Sequence, residues 1–173
     1  MKPLEPPDIH HLLAASGWLD LGNTREANEE LDKITPRLRT HPDVLELRWQ
    51  LYAQAKNWDA CVDIAKAIAE QAPDRASGWI GRAYALRRAT GGGLQVAWDA
   101  LLPAAEKFPD VHLVPFNLAC YACQMGRLPE ARDWLKRAFE IAGKAGTRKR
   151  VRLRALDEPD LEPLWKEIGS IEP

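Results

Sequence analysis

Small residues recur along this chain at one period. Ala27, Cys61, Ala97 and Ala131 stand 34, 36 and 34 residues apart, and each is followed four places later by an apolar residue: Leu31, Ala65, Leu101 and Leu135. A turn precedes each of them, at Gly22-Asn23, Lys56-Asn57, Gly91-Gly92-Gly93 and Gly126-Arg127. In the stretch Pro115 to Phe139, Leu118, Ala119, Ala122 and Met125 fall on one helical face before the turn, and Ala131, Leu135, Ala138 and Phe139 fall on another after it. The pattern predicts pairs of antiparallel helices joined by tight turns. Neither helix of such a pair buries its stripe alone, so the pairs must stack on one another.

The chain resembles the tetratricopeptide repeat family from about Asp8 to about Ala142. That family places a Trp, then Leu-Gly, then Tyr in the first helix of each unit, and Ala, Phe and Pro in the second. The third unit here has Trp79, Ala83, Leu86, Ala97, Leu101 and Pro109, with two extra residues in its glycine-rich turn. The second has Leu45, Tyr52, Cys61 and Pro73, with Trp49 where a small residue is usual. The first carries Ala15, Trp18, Ala27 and Leu31, and the fourth Leu118, Ala119, Ala131 and Leu135 without the Trp. The resemblance implies an all-α, right-handed solenoid forming a single domain over 1–173. Its repeats are expected at about 8–42, 43–75, 76–110 and 111–143, with a cap over 144–173. ALDEPDLEPLW is similar to the tail that follows the last repeat in a number of bacterial members.

Proline and polar residues set the expected boundaries. Asp8 is the expected N-cap of a first helix ending near Leu21, and Pro36 should kink or end the second helix, which begins near Thr24. Further helices are expected over Asp59 to Gln71, Ala76 to about Ala89, and Leu94 to Lys107, the last bent at Pro103. Leu161, Leu164, Trp165 and Ile168 form a short apolar face assigned to the cap. The seven Trp, spread about once per helix pair, are read as rings wedged between neighbouring helices.

Composition excludes several classes. The chain is 46% hydrophobic and 28% charged, which suits a folded globular chain, and its net charge of -1 disfavours a surface devoted to nucleic acid. No apolar run approaches a membrane span or a signal peptide, so a cytoplasmic location is expected. Three cysteines make no disulfide framework. Cys120 and Cys123 form a CxxC, but they sit one turn apart on a helix with no second pair and no nearby His, and are read as packing residues. His10 and His11 point to different sides, and His41 and His112 are isolated, so no metal or cofactor is expected. No GxSxG or HExxH occurs, and Gly91-Gly92-Gly93 runs into Leu94-Gln95 rather than Lys-Ser or Lys-Thr, so no enzyme is predicted.

What the resemblance leaves as the working surface is the concave groove lined by the first helix of each unit. Family analogy selects Leu47, Gln50 and Gln54, then Ile80, Tyr84, Arg87 and Arg88, then Phe116, Asn117, Cys120 and Gln124. Aromatics, amides and two arginines suit a peptide or protein segment carrying an acidic or C-terminal carboxylate element. The alternative is that the chain's own terminal helices cover these positions. Family members that grip the acidic tails of heat-shock chaperones use Lys, Asn, Asn, Lys and Arg at fixed places. Those places here hold Glu46, Gln50, Gly81, Leu113 and Asn117, or in the other register Leu12, Ser16, Leu47, Ser77 and Gly81, so that version is disfavoured. The expected role is a protein-binding adaptor. Two rivals stand beside it: a self-associating structural protein, such as a homodimer, and a nucleic-acid accessory using Arg148, Lys149, Arg150 and Arg152 within the basic 144–154 stretch.

Overall fold

The computed structural model describes residues 2–171, and all regular structure among them is helical. Contacts divide the chain into two compact units with the boundary between Gly91 and Gly92, inside the triple-glycine turn. The first unit holds α1 (Asp8–Asp20), α2 (Thr24–Lys33), a 3-10 turn (Pro36–Leu38), α3 (Pro42–Gln54), α4 (Trp58–Gln71) and α5 (Ala76–Leu86). Each of these helices packs on the next, and α1 also meets α3 as α3 meets α5. The second unit holds α6 (Leu94–Leu101), α7 (Ala104–Lys107), α8 (Leu113–Gln124) and α9 (Leu128–Lys144), followed by α10 (Arg148–Asp157), a 3-10 segment (Pro159–Leu164) and α11 (Trp165–Ile168).

The period read from the sequence marks the interior. Ala27, Leu31, Cys61, Ala65, Ala97, Leu101, Ala131 and Leu135 are all fully buried, because the second helix of each hairpin turns this small-then-apolar edge inward. The turns share one geometry. Gly22, Lys56, Gly126 and Gly146 all have positive φ, and at each the amide of the next residue bonds back to a carbonyl five residues earlier: Asn23 to Trp18, Asn57 to Tyr52, Arg127 to Ala122 and Thr147 to Ala142. This closes the carbonyls that a helix end leaves open. Asn23 and Asn57 then accept from the Glu26 and Ala60 amides, so one residue ends a helix and its neighbour caps the next.

The boundaries at Asp8 and Pro103 depart from the sequence reading, and the early end expected at Pro36 is seen. Asp8 lies inside α1 rather than capping it; its carboxylate accepts instead from the Thr35 amide (2.6 Å) and hydroxyl (3.1 Å), tying the start of α1 to the loop after α2. The helix begun at Thr24 ends at Lys33, ahead of Pro36, which opens the 3-10 turn. Pro103 goes further than a bend: α6 stops at Leu101 and α7 starts at Ala104, since the proline offers no amide to the preceding turn.

The N-terminal segment is held to the first unit by His41. Its Nδ1 accepts from the Asp43 amide at the start of α3, which leaves Nε2 as the donor to the Lys2 carbonyl, 3.1 Å away. Leu4 enters the core alongside Leu19, Leu31, Ile34, Val44 and Leu51. In the second unit Trp98 and Trp134 meet edge to face at 6.1 Å, wedging α6 against α9 as the Trp spacing suggested.

Candidate functional site

The predicted groove positions of the first unit lie on α3 and α5. Gly81 brings α5 onto the ring of Trp49: a Cβ on Gly81 would stand 3.3 Å from the indole. One turn further along α5, Tyr84 meets Trp49 edge to face with ring centroids 6.0 Å apart, and meets Trp58, at the start of α4, in the same way at 5.9 Å. Arg88 folds back over this cluster. Its guanidinium carbon lies 3.8 Å from the centre of the Tyr84 ring and 5.4 Å from that of Trp58, and Nη1 donates to the Tyr84 carbonyl at 3.0 Å. Among the described residues no carboxylate pairs with Arg88, which stays exposed. A guanidinium held over aromatic rings is attracted by their faces and keeps its remaining N–H donors for an acceptor beside them.

Of the other predicted positions, Gln50 is exposed, and Gln54, also exposed, donates to the Leu19 carbonyl at 3.3 Å; Ile80 and Arg87 are half-buried. Leu47 does not line a surface: it belongs to the core of the first unit, 7% exposed. Trp49 and Trp58 were missed as members of this face. The signal for Trp49 was the exchange of a large residue for a small one at its own position, matched by a glycine at 81 where its ring needs room.

The second unit's positions lie on α8, and the C-terminal segment covers much of them. Phe116 and Cys120 are buried, 1% and 4% exposed. The Arg154 guanidinium sits 5.1 Å above the Phe116 ring. The 3-10 segment Pro159–Leu164 packs along α8 with Leu161 and Leu164 fully buried, and the exposed Gln124 donates to the Asp160 carbonyl at 3.1 Å. Asn117 turns its amide back to the Leu113 carbonyl at 2.7 Å. Leu47, Phe116 and Cys120 are thus interior, and on α8 the alternative weighed from sequence, coverage by the chain's own terminus, describes what is seen.

The basic stretch divides by duty. Arg148 donates to the Phe139 carbonyl (3.2 Å) and Arg152 to the Ile171 carbonyl, so both serve the cap, while Lys149, Arg150 and Arg154 are exposed. His112 feels the last two: burial first, and then the charges of Arg150 and Arg154, hold its pKa below the usual histidine value. The Arg132 guanidinium grips both oxygens of Glu167, fastening α9 to α11; the hydrogen bond between them pulls Glu167 below the usual carboxylate range and Arg132 above its own.

The thiols lie in the interior. Burial pushes Cys61 up to about 11, and burial together with the charge of Asp160 raises Cys123. Thiols held protonated are poor nucleophiles and poor metal ligands. Among the described residues no three His, Cys, Asp or Glu side chains converge as a metal site would require, and no helix is long and apolar enough to cross a membrane. No protein-family model matches the chain, and no curated protein matches it either.

Proposed function

We propose that the chain is a tetratricopeptide-type helical-repeat protein, a right-handed solenoid of stacked hairpins, and that it serves as an adaptor binding a peptide or protein segment with an acidic element. The serial packing of hairpins within the first unit and the shared turn geometry support the repeat assignment. The binding surface is the α3 and α5 face of the first unit. The observation that carries it is Arg88 laid over Tyr84 and Trp58 and, among the described residues, paired with no carboxylate. Aromatic rings under a cation offer contact area at low entropic cost, and the guanidinium supplies charge-assisted hydrogen bonds to a carboxylate. The buried cysteines fit a reducing cytoplasm, the setting we assign to it, in a bacterial cell.

The test is a display library of random peptides panned against the full chain, with the enriched peptides then titrated against variants. Enrichment of acidic peptides whose affinity falls about tenfold or more in Arg88→Glu and in Tyr84→Ala, with far-UV circular dichroism unchanged, supports the reading. Peptides that bind both variants as tightly as the parent chain, or a library that yields no binder, count against it.

A further inference from the structure

Arg150 and Arg154 stand one turn apart on α10, both exposed, and among the described residues neither pairs with a carboxylate. Like charges at this spacing repel. Asp157, three residues on from Arg154 and also exposed, could relieve the repulsion, yet the Arg154 guanidinium turns instead to the Phe116 ring, 5.1 Å away. Phe116 and His112 share one side of α8, since the Phe116 amide bonds back to the His112 carbonyl at 3.1 Å. The half-buried His112 ring makes no hydrogen bond among the described residues. The charged groups that act on it are Arg150 and Arg154, and no carboxylate offsets them. Two guanidiniums and an imidazole thus lie together without a counter-charge from the chain.

We propose that His112, Arg150 and Arg154 form a binding site for a dianionic phosphate, the group carried by a phosphate monoester. Guanidiniums present N–H forks that match the oxygens of such an anion, and the protonated imidazole adds a further donor. Phe116 fixes where the Arg154 guanidinium sits, so that side chain is already ordered when the ligand arrives. A carboxylate brings a single charge to these groups, and so does each diester of a nucleic-acid backbone; a monoester brings two to one point. The site lies within the second unit and does not rest on the α3 and α5 surface proposed above.

The test is a titration of the full chain with sulfate, a tetrahedral dianion whose charge stays constant from about pH 5 to 8, at fixed ionic strength. The NMR signals of the histidine rings are the readout, with His112 assigned by its loss in His112→Gln. Occupancy should raise the pH midpoint of His112 by about one pH unit at saturation, because the anion opposes the two guanidiniums that hold it down. By linkage, sulfate should then bind more tightly at pH 5 than at pH 8. The rings of His10, His11 and His41, in the first unit, should not follow. Phosphoserine should displace sulfate, with a dissociation constant on the order of 1 mM. Arg150→Gln and Arg154→Gln should each weaken sulfate by about fivefold or more, whereas Lys149→Gln, which removes the same charge one residue away, should change it by less than about twofold. Arg150 makes no hydrogen bond or ion pair among the described residues, so Arg150→Gln decides the matter if Arg154→Gln loosens the cap. A His112 midpoint that stays put up to about 100 mM sulfate overturns the proposal. Equal weakening by Lys149→Gln also overturns it, since the ion would then answer the overall charge of α10. So does an oligonucleotide without terminal phosphates that displaces sulfate at lower concentration than phosphoserine, which would make the diester backbone the ligand.

Discussion

Gly78 of α5 lies so close to Ala69 of α4 that a Cβ on Gly78 would stand 2.8 Å from the Ala69 backbone nitrogen, with the Ala65 carbonyl oxygen at 3.1 Å. Both obstacles are backbone, so neither can swing aside. The two helices pack at this distance only because residue 78 has no side chain. Gly78→Ala should therefore destabilise the first unit by about 1–2 kcal/mol, overpacking outweighing the better helix propensity of alanine. Urea unfolding followed by tryptophan fluorescence measures it. A stabilised variant would mean the helices separate more easily than this contact implies.

Lys56 is the only non-glycine residue with positive φ among those described, at 55°, and it occupies the turn place held by Gly22, Gly126 and Gly146 elsewhere. A side chain in the left-handed region carries strain that glycine lacks, partly offset by the greater freedom glycine has when unfolded. Lys56→Gly should stabilise by roughly 0.5 kcal/mol and Lys56→Val should destabilise by more than that. The opposed signs, read as urea midpoints, are the check; a loss of stability on Lys56→Gly would contradict the strain.

Asp8 gives the fold an acid-sensitive tie. The Thr35 amide bond, then the Thr35 hydroxyl and the charges of His11 and Arg37, hold its carboxyl below the usual range against the opposing effect of burial. A depressed carboxyl contributes stability that is complete above its unfolded pKa, about 4, and is lost as pH falls through the lower folded value. Asp8→Asn should lower the melting temperature at pH 7, and the gap from the parent chain should close as pH falls below about 4. A gap that stayed constant down to pH 3 would show that the Thr35 bonds do not depend on charge. Glu30 and Glu167, also held low by hydrogen-bonded cations, leave an acid slope in the variant.

These residues also mark what a reader of the sequence alone could see. The spacing of Ala27, Cys61, Ala97 and Ala131 is a local quantity, fixed by helix pitch and hairpin length, and it located buried positions at 0% exposure. Gly22 and Gly126 announced their turns because left-handed backbone has few tenants. Phe116 and Cys120 could not be placed in this way. Their position on α8 was legible, but what lies over them is a segment that returns from some 40 residues further on, and periodicity carries no information about such a return. Asp8 failed for the same reason. An acidic residue at the start of a helix looks like a cap, and only the tertiary path brings Thr35, 27 residues away, within 2.6 Å of it. The basic run was visible as charge, yet which of its arginines face inward depended on where the Phe139 and Ile171 carbonyls lie.

The interior thiols give a last expectation. Cys61 donates weakly to the Trp49 carbonyl at 3.6 Å, and burial holds its pKa up to about 11. Cys120 and Cys123 are each 4% exposed on α8 beneath the C-terminal segment. Only thiolate attacks a disulfide reagent, so at pH 8 the native chain should react with an aromatic disulfide far more slowly than a free cysteine, and all three thiols should be modified once the chain is unfolded in guanidinium. The same shift links to stability. An unfolded Cys61 ionises from about pH 8.5 whereas the folded one does so only near 11, so stability complete below the first value declines as pH rises from one toward the other. Cys61→Ala should lose packing at pH 7 but show a shallower decline between about pH 8.5 and 10.5 than the parent chain. Leu161→Ala separates the two sites: loosening the C-terminal segment should speed labelling of Cys120 and Cys123 while leaving Cys61 protected, because Cys61 belongs to the first unit. Equal acceleration at all three would show that the chain opens as a whole rather than from its cap.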